Sequence, residues 1–216
     1  MINSFRESSN YNNNIVTLHG TVTGEPEISH ELYGEKYYNI ELKVRRLSSR
    51  KDYIPITISE KLIRAFWPVP GDFVKITGQY RSYNNYTGVG NKLILTVFAK
   101  SIKYLSKEQF DETDINPNQI YLNGYLCKKP TYRTTPSNRE ISDILIAVNR
   151  FYNKSDYIPC IAWGINAQFA KDLEVGTNII INGRIQSREY QKKLNEFETL
   201  NKTAYEVSIT TLELGT

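Results

Sequence analysis

Five separate stretches of this chain recur at one nearly constant spacing, and that recurrence restricts the fold more than any other feature. Leu18-His-Gly20 returns as Leu122-Asn-Gly124, and Pro26 returns as Pro130. Val44-Arg-Arg46 becomes Val148-Asn-Arg150, and Asp52-Tyr-Ile-Pro55 comes back unchanged as Asp156-Tyr-Ile-Pro159, all 104 residues apart. After one residue of slippage, Gly71-Asp-Phe-Val-Lys-Ile-Thr-Gly78 matches Gly176-Thr-Asn-Ile-Ile-Ile-Asn-Gly183 at a spacing of 105. Chance does not hold five anchors in register, so the chain is a tandem duplication. Its 216 residues then divide into copies of small-domain size. The expected division is a loose arm over 1–13, a first copy over 14–105, a polar and acidic linker over 106–118, and a second copy over 119–216.

Each copy reads as strands. In the second, Ile120–Tyr132 is one long strand-like run closed by Lys128-Lys-Pro130. From Ser142 to Arg150, Ile144, Ile146 and Val148 alternate with Leu145, Ala147 and Asn149. Tyr157–Trp163, Asn178–Tyr190 and Thr203–Glu213 supply three more strands, and Ala167–Leu173 carries a short helical pattern. Gly183, in the middle of its strand, marks the bulge or bend that closing a small barrel requires. The expectation is an all-β protein of two tandem OB folds. Each would be a five-stranded Greek-key barrel with a short helix between its third and fourth strands.

Composition narrows the function classes. Only His19 and His30 are present, and no Cys or His pair has metal-ligand spacing, so neither a metal site nor a cofactor is expected. No phosphate-binding glycine loop or nucleophile motif occurs, and the acidic residues are scattered, so the chain does not read as an enzyme. No apolar run is long enough to cross a membrane as a helix. Cys127 and Cys160 sit in apolar strand-like segments and are expected as buried free thiols of a reducing, cytoplasmic compartment.

Binding is better supported. The chain has 16 Tyr against eight Phe and two Trp, and its net charge is +4. Aromatic residues at strand edges are interleaved with cations. Unpaired bases stack on such rings while Arg and Lys follow the phosphates. A Tyr in a strand is also commonly partial core, and an Arg beside a Tyr is commonplace. The pattern nevertheless recurs on corresponding elements of both copies.

The second copy carries an ordered run of motifs: Asn118-Gln-Ile-Tyr-Leu-Asn-Gly124, Lys128-Lys-Pro130-Thr-Tyr-Arg133, Leu145-Ile-Ala-Val-Asn-Arg150, Asp156-Tyr-Ile-Pro-Cys-Ile-Ala-Trp-Gly164, Ile181-Asn-Gly-Arg-Ile-Gln-Ser-Arg188-Glu-Tyr190 and Tyr205-Glu-Val207. Together they resemble the bacterial single-stranded-DNA-binding protein family over most of residues 118–214. The resemblance implies base stacking by Tyr157, Trp163 and Tyr190, with Phe151 or Tyr152 in the loop after the second strand. It implies Arg133, Arg150, Arg184, Arg188 and Lys192 as phosphate contacts. The first copy departs from the pattern. Tyr53 keeps its place, but Ser59 stands where Trp163 falls and Asn85 where Tyr190 falls. Tyr83 and Tyr86, with Arg45, Arg46 and Arg81, are its candidates.

The same resemblance implies replication, recombination or repair as the setting, and a homodimer holding four OB folds as the assembly. Family members carry a glycine-rich region and an acidic partner-recruiting tip after the core. This sequence stops at Leu212-Glu-Leu-Gly-Thr216, so the expectation is the DNA-binding core without that tail. Two further readings stay open: an OB-fold assembly adaptor of replication restart or a mobile element, with nucleic-acid binding weak or secondary, and RNA binding.

Overall fold

The computed structural model of the protein describes residues 12–46, 48–85, 92–112, 116–193 and 199–215. Most of the arm expected over 1–13, and Tyr86, therefore lie outside the described residues. Alternating apolar side chains form strands wherever one face can be buried. The first half runs β1 (Asn14–Val22), β2 (Glu27–Leu32), β3 (Glu35–Arg45), β4 (Lys51–Ser59), helix α1 (Glu60–Ile63), β5 (Phe73–Asn85) and β6 (Lys92–Leu105). After helix α2 (Lys107–Glu112), the second half repeats the order: β7 (Asn118–Leu126), β8 (Thr131–Thr134), β9 (Glu140–Asn149), β10 (Ser155–Trp163), helix α3 (Ile165–Lys171), β11 (Asn178–Lys193) and β12 (Thr199–Leu214).

All described strands belong to one sheet, in the order β2-β3-β4-β6-β5-β1-β7-β11-β12-β10-β9-β8. That order is a palindrome of equivalent strands about the β1–β7 junction. Additional β1–β3 and β7–β9 pairings close each half into a barrel. In both halves the fourth strand runs parallel to the sixth, β4 with β6 and β10 with β12. The fold is all-β, two OB barrels in tandem. One detail differs from expectation: each barrel has a sixth, short strand, so its helix falls between the fourth and fifth. The run Ile120–Tyr132 is broken at Cys127–Pro130, where proline offers no N–H to the ladder. The residues beyond the break form β8, on the edge beside β9.

The cores follow the alternation. Leu42, Ile54, Ile56 and Ile76 are fully buried in the first barrel, as are Leu122, Ile146, Ile158 and Ile181 in the second. Each such side chain contributes roughly 1.5–3 kcal/mol by leaving water. Where the sheet must bend, the pairing shifts by one residue, between Thr77 and Gly78 and between Asn182 and Gly183. A Cβ on Gly78 would stand 2.3 Å from the Phe98 carbonyl oxygen, and one on Gly183 would stand 2.3 Å from that of Ser208. Both bulges exist because glycine lets two backbones touch.

The two barrels meet through their first strands. In the antiparallel β1–β7 pairing Val16 faces Ile120, its own counterpart in the repeat. The flanking hydrogen bonds also map onto each other: His19 N–H to the Pro117 carbonyl (2.7 Å) and Asn123 N–H to the Asn13 carbonyl (2.8 Å). The junction therefore has an internal twofold relationship.

The stretch expected to be a polar linker carries α2. Ser106 and Gln109 form a reciprocal cap, Gln109 N–H to Ser106 Oγ at 3.2 Å and Ser106 N–H to Gln109 Oε1 at 3.1 Å. Phe110 anchors the helix by stacking on Phe73 at 4.5 Å. Both cysteines are free; Cys160 is buried and Cys127 half-buried, and burial pushes both thiols up. Among the described residues no helix is long and apolar enough to cross a membrane.

Candidate nucleic-acid interface

The repeated Asp-Tyr-Ile-Pro places one aspartate near the start of β4 and one near the start of β10, both completely buried. A buried carboxylate needs charged or hydrogen-bonding partners, and each finds them in both barrels. Asp52 accepts from Arg46 Nε (2.7 Å) and Nη2 (2.5 Å), from Arg184 Nη1 (3.5 Å) and from the Ser187 N–H (2.7 Å). Asp156 accepts from Arg150 Nη1 (3.0 Å) and the Ser82 N–H (2.8 Å), with Arg81 Nη1 at 3.8 Å. The serines answer: Ser187 Oγ accepts from the Tyr53 N–H (3.1 Å) and Ser82 Oγ from the Tyr157 N–H (2.7 Å).

Four arginines expected at phosphates are thus engaged at the barrel junction. Asp52 holds the Arg46 guanidinium above its usual range. Burial, then the neighbouring Arg150, lowers Arg81; burial, then Arg46, lowers Arg184. Each barrel also carries an arginine–glutamine pair on β5 or β11, with the order reversed. Arg81 reaches Gln79 in the first, and Arg184 reaches Gln186 in the second. Arg45 is occupied elsewhere, 4.0 Å from Asp111 and over the Phe110 ring, where it holds α2.

An open groove of about 930 Å³ runs along the outer face of the second barrel. Trp163, 38% exposed at the end of β10, lines it together with Arg133, Arg139, Arg184 and Arg188. Arg133 is tied to Asp143 (2.9 Å), and Arg188 stands 4.0 Å from Glu206. The Arg188 guanidinium also lies 5.8 Å from the centre of the Tyr190 ring, which shares its strand face two residues on and is 38% exposed. Lys192 continues that strand opposite Leu200. The remaining wall comes from the first barrel: Arg46, Arg50 and Lys51, at the turn from β3 into β4.

A second groove, about 580 Å³, occupies the twofold-related position on the first barrel. Here Tyr83 stands where Arg188 is, Phe98 where Ser208 is, and His30, past the bulge in β2, where Arg133 is. The rings associate with one another: His30 stacks on Tyr37 at 4.8 Å, Tyr37 meets Phe98 at 5.6 Å, and Arg81 lies 5.9 Å from Phe98. Ser59, in the place of Trp163, caps α1 by accepting the Lys61 N–H at 3.1 Å.

The remaining expected stacking residues do not gather around Trp163. Tyr157 is half-exposed, but its backbone is bonded to β5 of the first barrel, as that of Tyr53 is to β11 of the second. Phe151 lines a small recess with Asn12, Gln79 and Lys100, so this second-barrel loop lies against the first barrel. Tyr152 beside it is almost fully exposed in the left-handed backbone region, at φ 61°. Arg50 and Lys51 stand in the interleaved stretch Arg50-Lys-Asp-Tyr53 but are not among the expected phosphate contacts, and the sequence does not single out Arg139. The polar turn Thr135-Pro-Ser-Asn-Arg139, between two strands, was a local signal for the last.

A model of the single-strand binding protein family matches residues 117–214. The single-stranded DNA-binding protein B of Bacillus subtilis (strain 168) is 31% identical over 83 residues, which are 35% of this chain and 74% of that protein. The chain belongs to the single-strand binding protein family. Single-stranded DNA-binding protein 1 of Staphylococcus aureus (strain COL) is 34% identical over 83 residues, 35% of this chain and 50% of that one. The chain thus spans about half the length of the first such relatives it matches. The wild-type single-stranded DNA binding protein from Thermus aquaticus, at 20% identity, superposes with a TM-score of 0.73 over 94% of this chain and 93% of its own. That likeness takes in both barrels and bears on the fold. The family match covers Trp163, Arg133, Arg139, Arg184 and Arg188, but it stops short of the first-barrel turn that completes their groove.

Proposed function

We propose that the protein binds single-stranded DNA with little sequence preference, stacking bases on exposed rings and neutralising phosphates with arginine and lysine. The observation carrying this reading is the groove in which Trp163 stands among arginines. A ring of that exposure offers a base a π face, worth roughly 1–3 kcal/mol per stacked base, and a duplex would hide the bases from it. Membership of the family supports the reading, as do the names of the relatives. In the same proposal, residues 14–105 and 119–216 act as the working units, in replication, recombination or repair in the cytoplasm. Two chains would associate into a homodimer of four barrels.

The test is a titration with oligo-dT at 50 mM and 200 mM salt, following tryptophan fluorescence. The chain has two tryptophans, and Trp67 is itself exposed on the first barrel. A Trp67→Phe variant therefore leaves Trp163 as the sole reporter. Quenching that is tight at low salt and weakens as salt rises supports the proposal. No quenching by a folded protein overturns it and favours the assembly-adaptor reading, to which the ring-filled groove of the first barrel is suited. Competition with a matched RNA strand separates DNA from RNA.

A further inference from the structure

The two grooves are related by the internal twofold, yet their charge is distributed unequally. Among the described residues, seven Arg and Lys side chains line the second-barrel groove against three acidic ones, Asp143, Glu189 and Glu206. Among the described residues, Arg50, Lys51 and Arg139 have no acidic partner there. Among the described residues, the first-barrel groove is lined by two Arg or Lys side chains, Arg81 and Arg150, and both serve the buried Asp156.

The turn that brings Arg50 and Lys51 across the junction is held in place at its base. Arg46 is bidentate to Asp52, donates from Nη2 to the Ser187 carbonyl of the second barrel (3.2 Å), and closes the turn through its N–H to the Arg50 carbonyl (3.1 Å). The equivalent turn of the second barrel closes the same way, Arg150 N–H to the Lys154 carbonyl at 2.8 Å. At the position of Lys51, however, it carries Ser155, whose hydroxyl donates to Asn149 Oδ1 (3.2 Å). Lys154 does not line the first-barrel groove.

We propose that the working site is composite and one-sided: Arg50 and Lys51 of the first barrel bind phosphates of a strand lying in the second barrel's groove, while the first barrel's own groove adds no phosphate contact. Arg46 acts as the positioning residue for the turn. The first barrel then contributes to binding by lending two charges to its neighbour, although its own face has lost the ring at position 59. This inference rests on the single-stranded-DNA reading.

The experiment compares oligo-dT affinity as a function of salt for the intact chain, an Arg50→Ala/Lys51→Ala variant and the mirror variant Lys154→Ala. Each phosphate contact on a single strand contributes about 0.7 to the slope of log K against log salt. The double variant should lower the slope by about 1.4, so its deficit against the intact chain shrinks about sevenfold between 50 and 200 mM salt. Lys154→Ala should leave the slope unchanged, and Arg50→Lys/Lys51→Arg should restore it. Unchanged circular dichroism and denaturation midpoint in the double variant separate lost charge from lost fold. An intact chain that binds, with a double variant whose slope is unaltered, overturns the composite site and leaves the DNA reading standing. Equal losses from the double and mirror variants overturn its one-sidedness. An intact chain that does not bind oligo-dT overturns both readings together.

Discussion

Asp52 and Ser187 lie 135 residues apart in the chain, yet the serine's backbone N–H donates to the Asp52 carboxylate at 2.7 Å. The equivalent pair, Asp156 and Ser82, meets at 2.8 Å from the opposite direction. Each barrel thus buries a carboxylate whose partners come partly from the other barrel. Removing the charge leaves its arginines uncompensated, which for buried pairs costs about 3–5 kcal/mol. Asp52→Asn should fall in that range by urea denaturation. Asp156→Asn should cost less, because among the described residues Asp156 Oδ2 is without a hydrogen bond and Arg81 stands 3.8 Å away.

Trp163→Ala should weaken oligo-dT binding by about 1–3 kcal/mol, roughly five- to 150-fold, with the denaturation midpoint little changed. The reciprocal change, Ser59→Trp, should restore no affinity. It removes the cap of α1 and should cost about 1 kcal/mol of stability, since the hydroxyl that accepts the Lys61 N–H is lost. Isothermal titration and thermal melts on the two variants separate these effects.

Gly183→Ala and Gly78→Ala should each destabilise by about 1–3 kcal/mol, because the added methyl carbon meets a carbonyl oxygen at 2.3 Å and the bulged strands must part. Gly24→Ala is the control. Among the described residues nothing lies within 4 Å of its Cβ position, and its effect should stay within about 0.5 kcal/mol in the same denaturation assay.

Burial, and then the Asp72 carboxylate, pushes the Tyr104 phenol up to about 12. Its neutral form donates to the Phe66 carbonyl at 2.6 Å. A folded-state value above the ordinary one near 10 means this contribution is whole below pH 10 and is lost as pH rises through 12. Tyr104→Phe should therefore show a flatter decline in stability between pH 10 and 12 than the intact chain. Denaturant midpoints across that interval, with absorbance at 295 nm following phenol ionisation, check it.

The barrels were legible because their signals are local. Alternation in Ser142–Arg150, glycine within Asn178–Tyr190 and the recurring Asp-Tyr-Ile-Pro each act over a few residues. The Ser106–Gln109 cap was equally local, and it could have revealed α2 within what read as a polar linker. What escaped depends on long-range pairing. Arg46, Arg81, Arg150 and Arg184 look like free cations until Asp52 and Asp156 are seen between the barrels. Phe151 follows a second-barrel strand in sequence but rests on the first barrel, because β4 and β10 each cross to the partner's side of the junction. Arg50 and Lys51 sit beside Tyr53 in an interleaved stretch, but that they face the second barrel's groove depends on the same crossing.

The face-to-face pairing of Val16 with Ile120 carries a consequence for how such a chain changes over generations. Had two separate identical subunits met there, every substitution would have appeared on both sides of the axis at once. Covalent tethering also replaces subunit concentration with a fixed effective concentration, so dilution cannot part the halves. Joined in one polypeptide, each side mutates alone while its partner keeps the contact intact. The reversed arginine–glutamine order on β5 and β11, and the serine in the tryptophan's place, are divergences that two identical subunits could not have acquired singly.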